Sequence, residues 1–112
     1  MQPDTLKHLI DILDAAADIR TFIDQYDLAA YRADAKCRAA VERKLEIIGE
    51  ACARIRNSDP DALDTLPYAQ QVIGLRNRVI HGYDNVDDAI IWDVVSNKLA
   101  SFVARVETLA RS

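Results

Sequence analysis

The sequence predicts an all-α chain folded as one up-down four-helix bundle. Three observations carry this. Apolar residues recur at three- and four-residue spacing through four long segments. No stretch alternates apolar and polar residues as a half-buried strand would. Helix breakers are scarce, with three Gly and three Pro in 112 residues. Half of the residues are apolar and 29% are charged, the profile of a packed globular chain. The length suits a single domain, residues 1–112, with one modest core.

The first helix is expected from about Asp4, as N-cap, to Tyr26. Leu6, Leu9, Ile10, Leu13 and Ala17, together with Ile12, Ala16, Ile19, Ile23 and Tyr26, give it a broad apolar face. Asp11, Asp14 and Asp18 share another face. With no glycine-containing loop of oxygen ligands, that stripe reads as a solvated surface. His8 lies between Asp4 and Asp11 at helical spacing, as in a surface ion pair.

The second helix is expected from about Ala30 to Arg56. Val41, Leu45, Ile48, Cys52 and Ile55 form a 4-3-4-3 seam for packing along a neighbour at a shallow angle. Arg32, Lys36, Arg38, Arg43 and Lys44 make it the most basic part of the chain, and Glu42, Glu46 and Glu50 offset part of that charge. The basic side reads either as solvated surface or as a face for phosphate or an acidic partner. Asn57-Ser58-Asp59-Pro60 then stops the helix and supplies a cap followed by proline. Leu63 and Leu66 are expected to tuck this connection onto the bundle.

The third helix is expected from Pro67 to His81, with Val72, Leu75 and Val79 facing the core. The fourth starts after Asp87, a suitable N-cap, and runs to about Arg111. Its seam is Trp92, Val95, Leu99, Phe102, Val106 and Leu109. Ile90, Ile91, Val94 and Val103 are left over from that seam, and a homodimer that buries them is the economical solution.

Composition excludes several function classes. No apolar run approaches the roughly 20 residues of a membrane helix. The first residues show neither a basic nor an apolar leader pattern, so a cytoplasmic location is the expectation. Cys37 and Cys52 fall on one expected helix, more than ~20 Å apart by helical rise, and cannot bridge within it. They read as small buried thiols. No cofactor or metal is implied, because His8 and His81 lack ligand partners at workable spacing. The formal charge is −4 and the pI about 5.0. Any nucleic-acid contact must therefore be short and locally basic.

The densest chemistry lies in Arg76, Asn77, Arg78, His81 and Tyr83. Were the substrate an RNA phosphodiester, cleavage without a metal would need a base for the 2′-hydroxyl proton and a cation for the charge that develops at phosphorus. His81 suits the first role and Arg76, with its planar fork, the second. Asn77 and His81 are i, i+4, so the amide can orient the imidazole. Arg76 and His81 are offset by ~140° on a helix. One helix cannot easily aim both at a single phosphate. Either the helix unwinds near Gly82, or two copies meet across a two-fold axis and gather Arg76, Arg78 and their mates. Tyr83 can hydrogen-bond phosphate or position His81. Alternatively, His81-Gly82-Tyr83 is only a helix C-cap, with glycine in the left-handed conformation.

Arg76-Asn77, three residues, His81, one residue and Tyr83 resemble the signature of the HEPN superfamily, and of HepT-type toxins within it. Val41 to Ala51 is similar to that family's long second helix, and Asp84 to Trp92 to the lead-in to its last one. The resemblance covers most of the chain. It implies a dimeric helical endoribonuclease toxin of a type VII-like toxin–antitoxin pair. Arg76 and His81 would be catalytic and Asn77, Arg78 and Tyr83 supporting. The partner would be an MntA-like nucleotidyltransferase antitoxin that transfers AMP to Tyr83.

Two functions of different class follow. One is a metal-independent endoribonuclease acting on RNA in a cleft at the dimer interface. The other is a non-catalytic helical module that binds nucleotide or docks on a nucleotidyltransferase. The complete motif favours the first, and the acidic charge favours the second.

Overall fold

Aspartates begin four of the helices. The structure, a computed structural model, describes residues 2–80 and 87–112, with the backbone alone at Val79 and Ile80. These residues form α1 (Pro3–Ile23), α2 (Leu28–Ala33), α3 (Ala35–Ser58), α4 (Pro60–Asp64), α5 (Ala69–Ile80), α6 (Asp88–Asp93) and α7 (Leu99–Arg111), with a π-helical turn over Val94–Lys98. No strand occurs among the described residues. Asp27, Asp34, Asp59 and Asp87 accept hydrogen bonds from the backbone N–H of Ala30, Cys37, Ala62 and Ala89, filling donors that a helix start leaves open. No described helix is long and apolar enough to cross a membrane.

Several boundaries differ from expectation. Gln2 rather than Asp4 takes the N-cap position of α1, and Asp4 sits in the first turn, where a carboxylate favours the helix dipole. The expected second helix is two. Asp34, at φ −113° and ψ 95°, ends α2 and caps α3. The expected start at Pro67 moves to Ala69, because Tyr68 adopts a left-handed φ of 64° and cannot continue a helix. Asp59 and Pro60 start α4 as expected, and Leu63 and Leu66 are buried.

α3 is the central helix. It packs against α1 on one side and α5 on the other, and α1 in turn meets α7. The expected seam Val41, Leu45, Ile48, Cys52 and Ile55 is fully buried. The first helix is narrower than expected. Thr5, Leu9, Ile12, Ala15, Ala16 and Ile19 face inward, whereas Leu6 and Ile10 lie exposed. Asp18 of the carboxylate stripe pairs with Lys44 at 2.8 Å. His8 forms no ion pair with Asp4 or Asp11; it lines a hollow with Lys7, Asp11, Glu50, Ala51 and Arg54.

The surplus apolar residues of the last helix are mostly absorbed within the chain. Ile91, Val94 and Val103 are buried beside the seam, and Ile90 stays exposed. In a straight helix the arc of Leu99, Phe102, Val103 and Val106 would be rotated roughly 80° from that of Ile91, Val94 and Val95. A π turn advances less per residue and brings the two arcs onto one side. The surplus is one of two reasons to expect a dimer, the other being the offset of Arg76 from His81, and it now rests on fewer residues: Leu6, Ile10, Tyr68 and Ile90 are the large apolar side chains left exposed among the described residues.

α3 and α5 approach most closely at Gly49. A Cβ added there would lie 2.3 Å from Arg76 Cβ and 3.2 Å from the Val72 carbonyl oxygen. At Gly74 an added Cβ meets nothing within 4 Å. The two positions therefore give opposite expectations. Gly74→Ala gains helix propensity, about 1 kcal/mol. Gly49→Ala gains the same propensity but forces α5 outward, an overpacking that costs ~1–3 kcal/mol. Thermal unfolding followed by circular dichroism should show a raised midpoint for Gly74→Ala and a lowered one for Gly49→Ala. Equal shifts would mean that the interface is looser than this contact requires.

Candidate functional site

Arg76 leaves α5 over the bare backbone of Gly49 and runs along α3. Its Nη2 donates to Glu50 Oε2, and its Nη1 donates to Asn77 Oδ1 at 3.1 Å. Glu50 Oε1 takes a second arginine, Arg54 Nε, at 3.0 Å. Ion pairs at such exposure, with 26% of the Arg76 side chain and 39% of the Glu50 side chain accessible, contribute only about 0–1 kcal/mol. The pair matters here for where it puts the guanidinium. Arg76 Nε is buried with no hydrogen-bond partner among the described residues, because the stem is pressed against α3.

The contact with Arg76 also settles the orientation of Asn77. A guanidinium only donates, so the amide oxygen must face it, and the amide nitrogen is the end left for another group. Arg43, Glu46, Ile47, Glu50 and Arg76 line an open hollow of about 240 Å³. Arg43 is itself paired with Glu46 at 2.9 Å.

Arg78 lies elsewhere. It is exposed and lines a different hollow with Gln71, Gly74, Leu75 and Ile90. Within one chain the structure brings Arg76 and Asn77 together and leaves Arg78 on another face. His81 and Tyr83 lie outside the described residues. The basic residues of the expected second helix are dispersed as well. Lys44 is drawn to α1, and Arg38 donates to the Arg32 carbonyl oxygen.

Reading the sequence missed the roles of Gly49 and Glu50. One signal was present, a lone glycine inside a helical pattern, which can have a packing reason, but Gly74 carries the same signal and an added Cβ there meets nothing within 4 Å. Nothing in the sequence said which residue would use the space, since Arg76 is 26 positions away.

The two thiols offer no nucleophile. Burial pushes the Cys52 thiol up to about 12. Burial, and then the Asp34 carboxylate, raise that of Cys37, whose Sγ donates to the Phe22 carbonyl oxygen at 3.6 Å. Both are free and buried, as expected. Tyr31 is fully buried against Trp92, with ring centroids 5.6 Å apart, and burial raises its phenol well above the ordinary value.

Residues 12–109 match the model of the family described as Ribonuclease HepT-like. A protein of Methanocaldococcus jannaschii named as a candidate RNase is 34% identical over 104 residues, covering 93% of this chain and 94% of the relative. A second from the same organism, named likewise, is 32% identical over 110 residues, covering 96% and 88%. A protein of Thermococcus cleftensis named as a candidate ribonuclease HepT is 31% identical over 104 residues, covering 93% and 94%. No solved structure matches the chain.

Because the thiolate is the reactive form, neither cysteine should alkylate in the folded protein at about pH 8, and both should react once denatured. Intact mass after iodoacetamide treatment checks this. Rapid native labelling of either residue would show that its helix opens far more often than its burial implies.

Proposed function

The chain belongs to the HepT-like ribonuclease family, and on that premise we propose that it is a toxin that cleaves RNA internally without a metal ion. The observation that supports this most is the pose of Arg76. Its guanidinium is held at the edge of an open hollow, five residues before His81 in the sequence. His81 takes the proton of a 2′-hydroxyl, and the 2′-oxygen attacks the adjacent phosphorus. The P–O5′ bond breaks and the 5′-oxygen leaves with a proton from solvent. The products are a 2′,3′-cyclic phosphate and a 5′-hydroxyl end. Arg76 stabilises the negative charge on the non-bridging oxygens, where charge-assisted donors are strongest. Asn77 orients His81, and Arg78 and Tyr83 support the site.

The same proposal makes the active form a homodimer. Arg76 and Arg78 occupy different faces of α5, so a second copy is the route by which Arg78 could serve the Arg76 hollow. It also names an MntA-like nucleotidyltransferase as antitoxin and Tyr83 as its AMP acceptor. An AMP group there carries a phosphate that competes for the arginines meant for RNA, and a nucleoside that fills the substrate's space. Under the alternative reading the chain docks on the nucleotidyltransferase and cuts nothing. The formal charge of −4 favours that reading.

His81→Ala and Arg76→Ala should each lower RNA cleavage by ~10²–10⁴-fold with helical content unchanged. Cleavage by the unsubstituted protein should survive excess EDTA and leave cyclic phosphate ends. Products with 5′-phosphates, or activity lost on chelation, would overturn the chemistry. No cleavage by any form would leave the docking module.

Incubation with the antitoxin, ATP and Mg²⁺ should add one or more AMP units that map to Tyr83. Tyr83→Phe should keep part of the nuclease activity and gain no mass. A mass gain that persists in Tyr83→Phe would move the acceptor elsewhere.

A further inference from the structure

The five N–H bonds of Arg76 are used unequally. Glu50 Oε2 takes one on Nη2, Asn77 Oδ1 takes one on Nη1, and Nε–H is buried with no partner among the described residues. One N–H on each terminal nitrogen remains. A fork with both terminal nitrogens engaged has fewer ways to turn, so those two bonds keep a preferred direction.

Glu50 is well placed to enforce this. It sits on the 24-residue α3, directly after the glycine over which the Arg76 stem passes. Its second oxygen is occupied by Arg54, so the carboxylate is held from both sides. It also borders two hollows, the one that contains Arg76 and the one that contains His8 and Lys7. A carboxylate in that position repels a phosphate, which argues against a direct contact with the RNA backbone.

The geometry points to Glu50 as a positioning residue for the RNA cleavage proposed above: its carboxylate fixes the pose of the Arg76 guanidinium and acts on the substrate only through it. This inference rests on the ribonuclease reading. It makes a signature that other roles do not share. Loss of the carboxylate misaims Arg76 in the transition state, while removal of an anion beside the phosphate eases binding of the ground state. The turnover number falls and KM does not rise.

The test is steady-state cleavage of a mixed-sequence single-stranded RNA oligonucleotide labelled at its 5′ end. Glu50→Ala should lower kcat by about 100-fold, the scale of a misplaced catalytic group, with KM unchanged or lower. Glu50→Gln keeps the size and one accepting oxygen, so it should recover part of the loss and should fold even if Glu50→Ala does not. Circular dichroism spectra should match the unsubstituted protein. A raised KM at unchanged kcat would make Glu50 a substrate contact and overturn the inference. Wild-type kcat in both Glu50 variants, with Arg76→Ala inactive, would overturn it while sparing the ribonuclease reading. Equal cleavage, or none, by the unsubstituted protein and Arg76→Ala would remove that reading and this inference together.

Discussion

The contact on which the rest of the molecule depends is the crossing of α3 and α5 at Gly49. Only a residue without a side chain lets the Arg76 stem lie flat there, since an added Cβ would come within 2.3 Å of it. The close approach does two things at once. It lets Val72, Ile73 and Leu75 of α5 join Ile48, Ala51 and Cys52 of α3 in the core. It also carries a charged head across to Glu50 on the neighbouring helix. A wider crossing would leave the core underfilled and the guanidinium in solvent. Packing and placement of a charge are therefore the same constraint.

That constraint works only if α3 is itself fixed, and an aspartate at each end provides for this. At the start, Asp34 Oδ1 accepts from the Cys37 N–H at 3.0 Å while Oδ2 accepts from the Tyr26 hydroxyl at 2.6 Å, tying α3 to the chain that follows α1. The Tyr26 hydroxyl, and after it the Cys37 amide, hold the Asp34 carboxyl below its ordinary value, and the same bond raises the Tyr26 phenol. At the far end, Asp59 caps α4 and accepts from Thr5 Oγ1 at 3.2 Å, and Thr5 is fully buried in the first turn of α1. Each acid satisfies a helix end and makes a tertiary bond, so α3 and α1 are pinned together at both extremities.

Much of this fold could be read in the sequence wherever a local rule governs it. The α3 seam follows apolar spacing, and the starts at Asp59-Pro60 and Asp87 follow cap chemistry. The departures arise where a long-range contact chose among local options. Asp34 sits among Ala29, Ala30, Ala33 and Ala35, whose helix propensity hides a break that the Tyr26 bond stabilises. Tyr68 takes a left-handed turn usually signalled by glycine or asparagine. Lys98 Nζ lies 5.5 Å over its ring and also reaches Asp93 and Gln71, which ties the Tyr68 turn to the π segment. The π turn has no marker residue of its own. It follows from two apolar arcs that a straight helix cannot present together. The candidate site divides in the same way: Arg76 and Asn77 were legible as a motif, and Glu50 was not, because its meaning is a distance across two helices.

The acidic charge that first weighed against an RNA substrate changes meaning beside this geometry. Several carboxylates are committed to cations: Asp18 to Lys44, Glu46 to Arg43, and Glu50 to both Arg54 and Arg76. Glu50 faces two arginines, and the hollow beside it is balanced between Arg43 and Arg76 on one side and Glu46 and Glu50 on the other. For a single-stranded ligand, each phosphate contact contributes only about 0.7 to the salt slope. A site built on few such contacts within a chain of net charge −4 would bind RNA weakly and release it readily. On the ribonuclease reading that suits a catalyst better than a tight binder, because alignment that counts only in the transition state raises turnover without holding the product. A basic surface would raise affinity for every RNA alike. On that same reading, an arginine held against a glycine and a glutamate would raise it only where a phosphate passes through the reacting geometry.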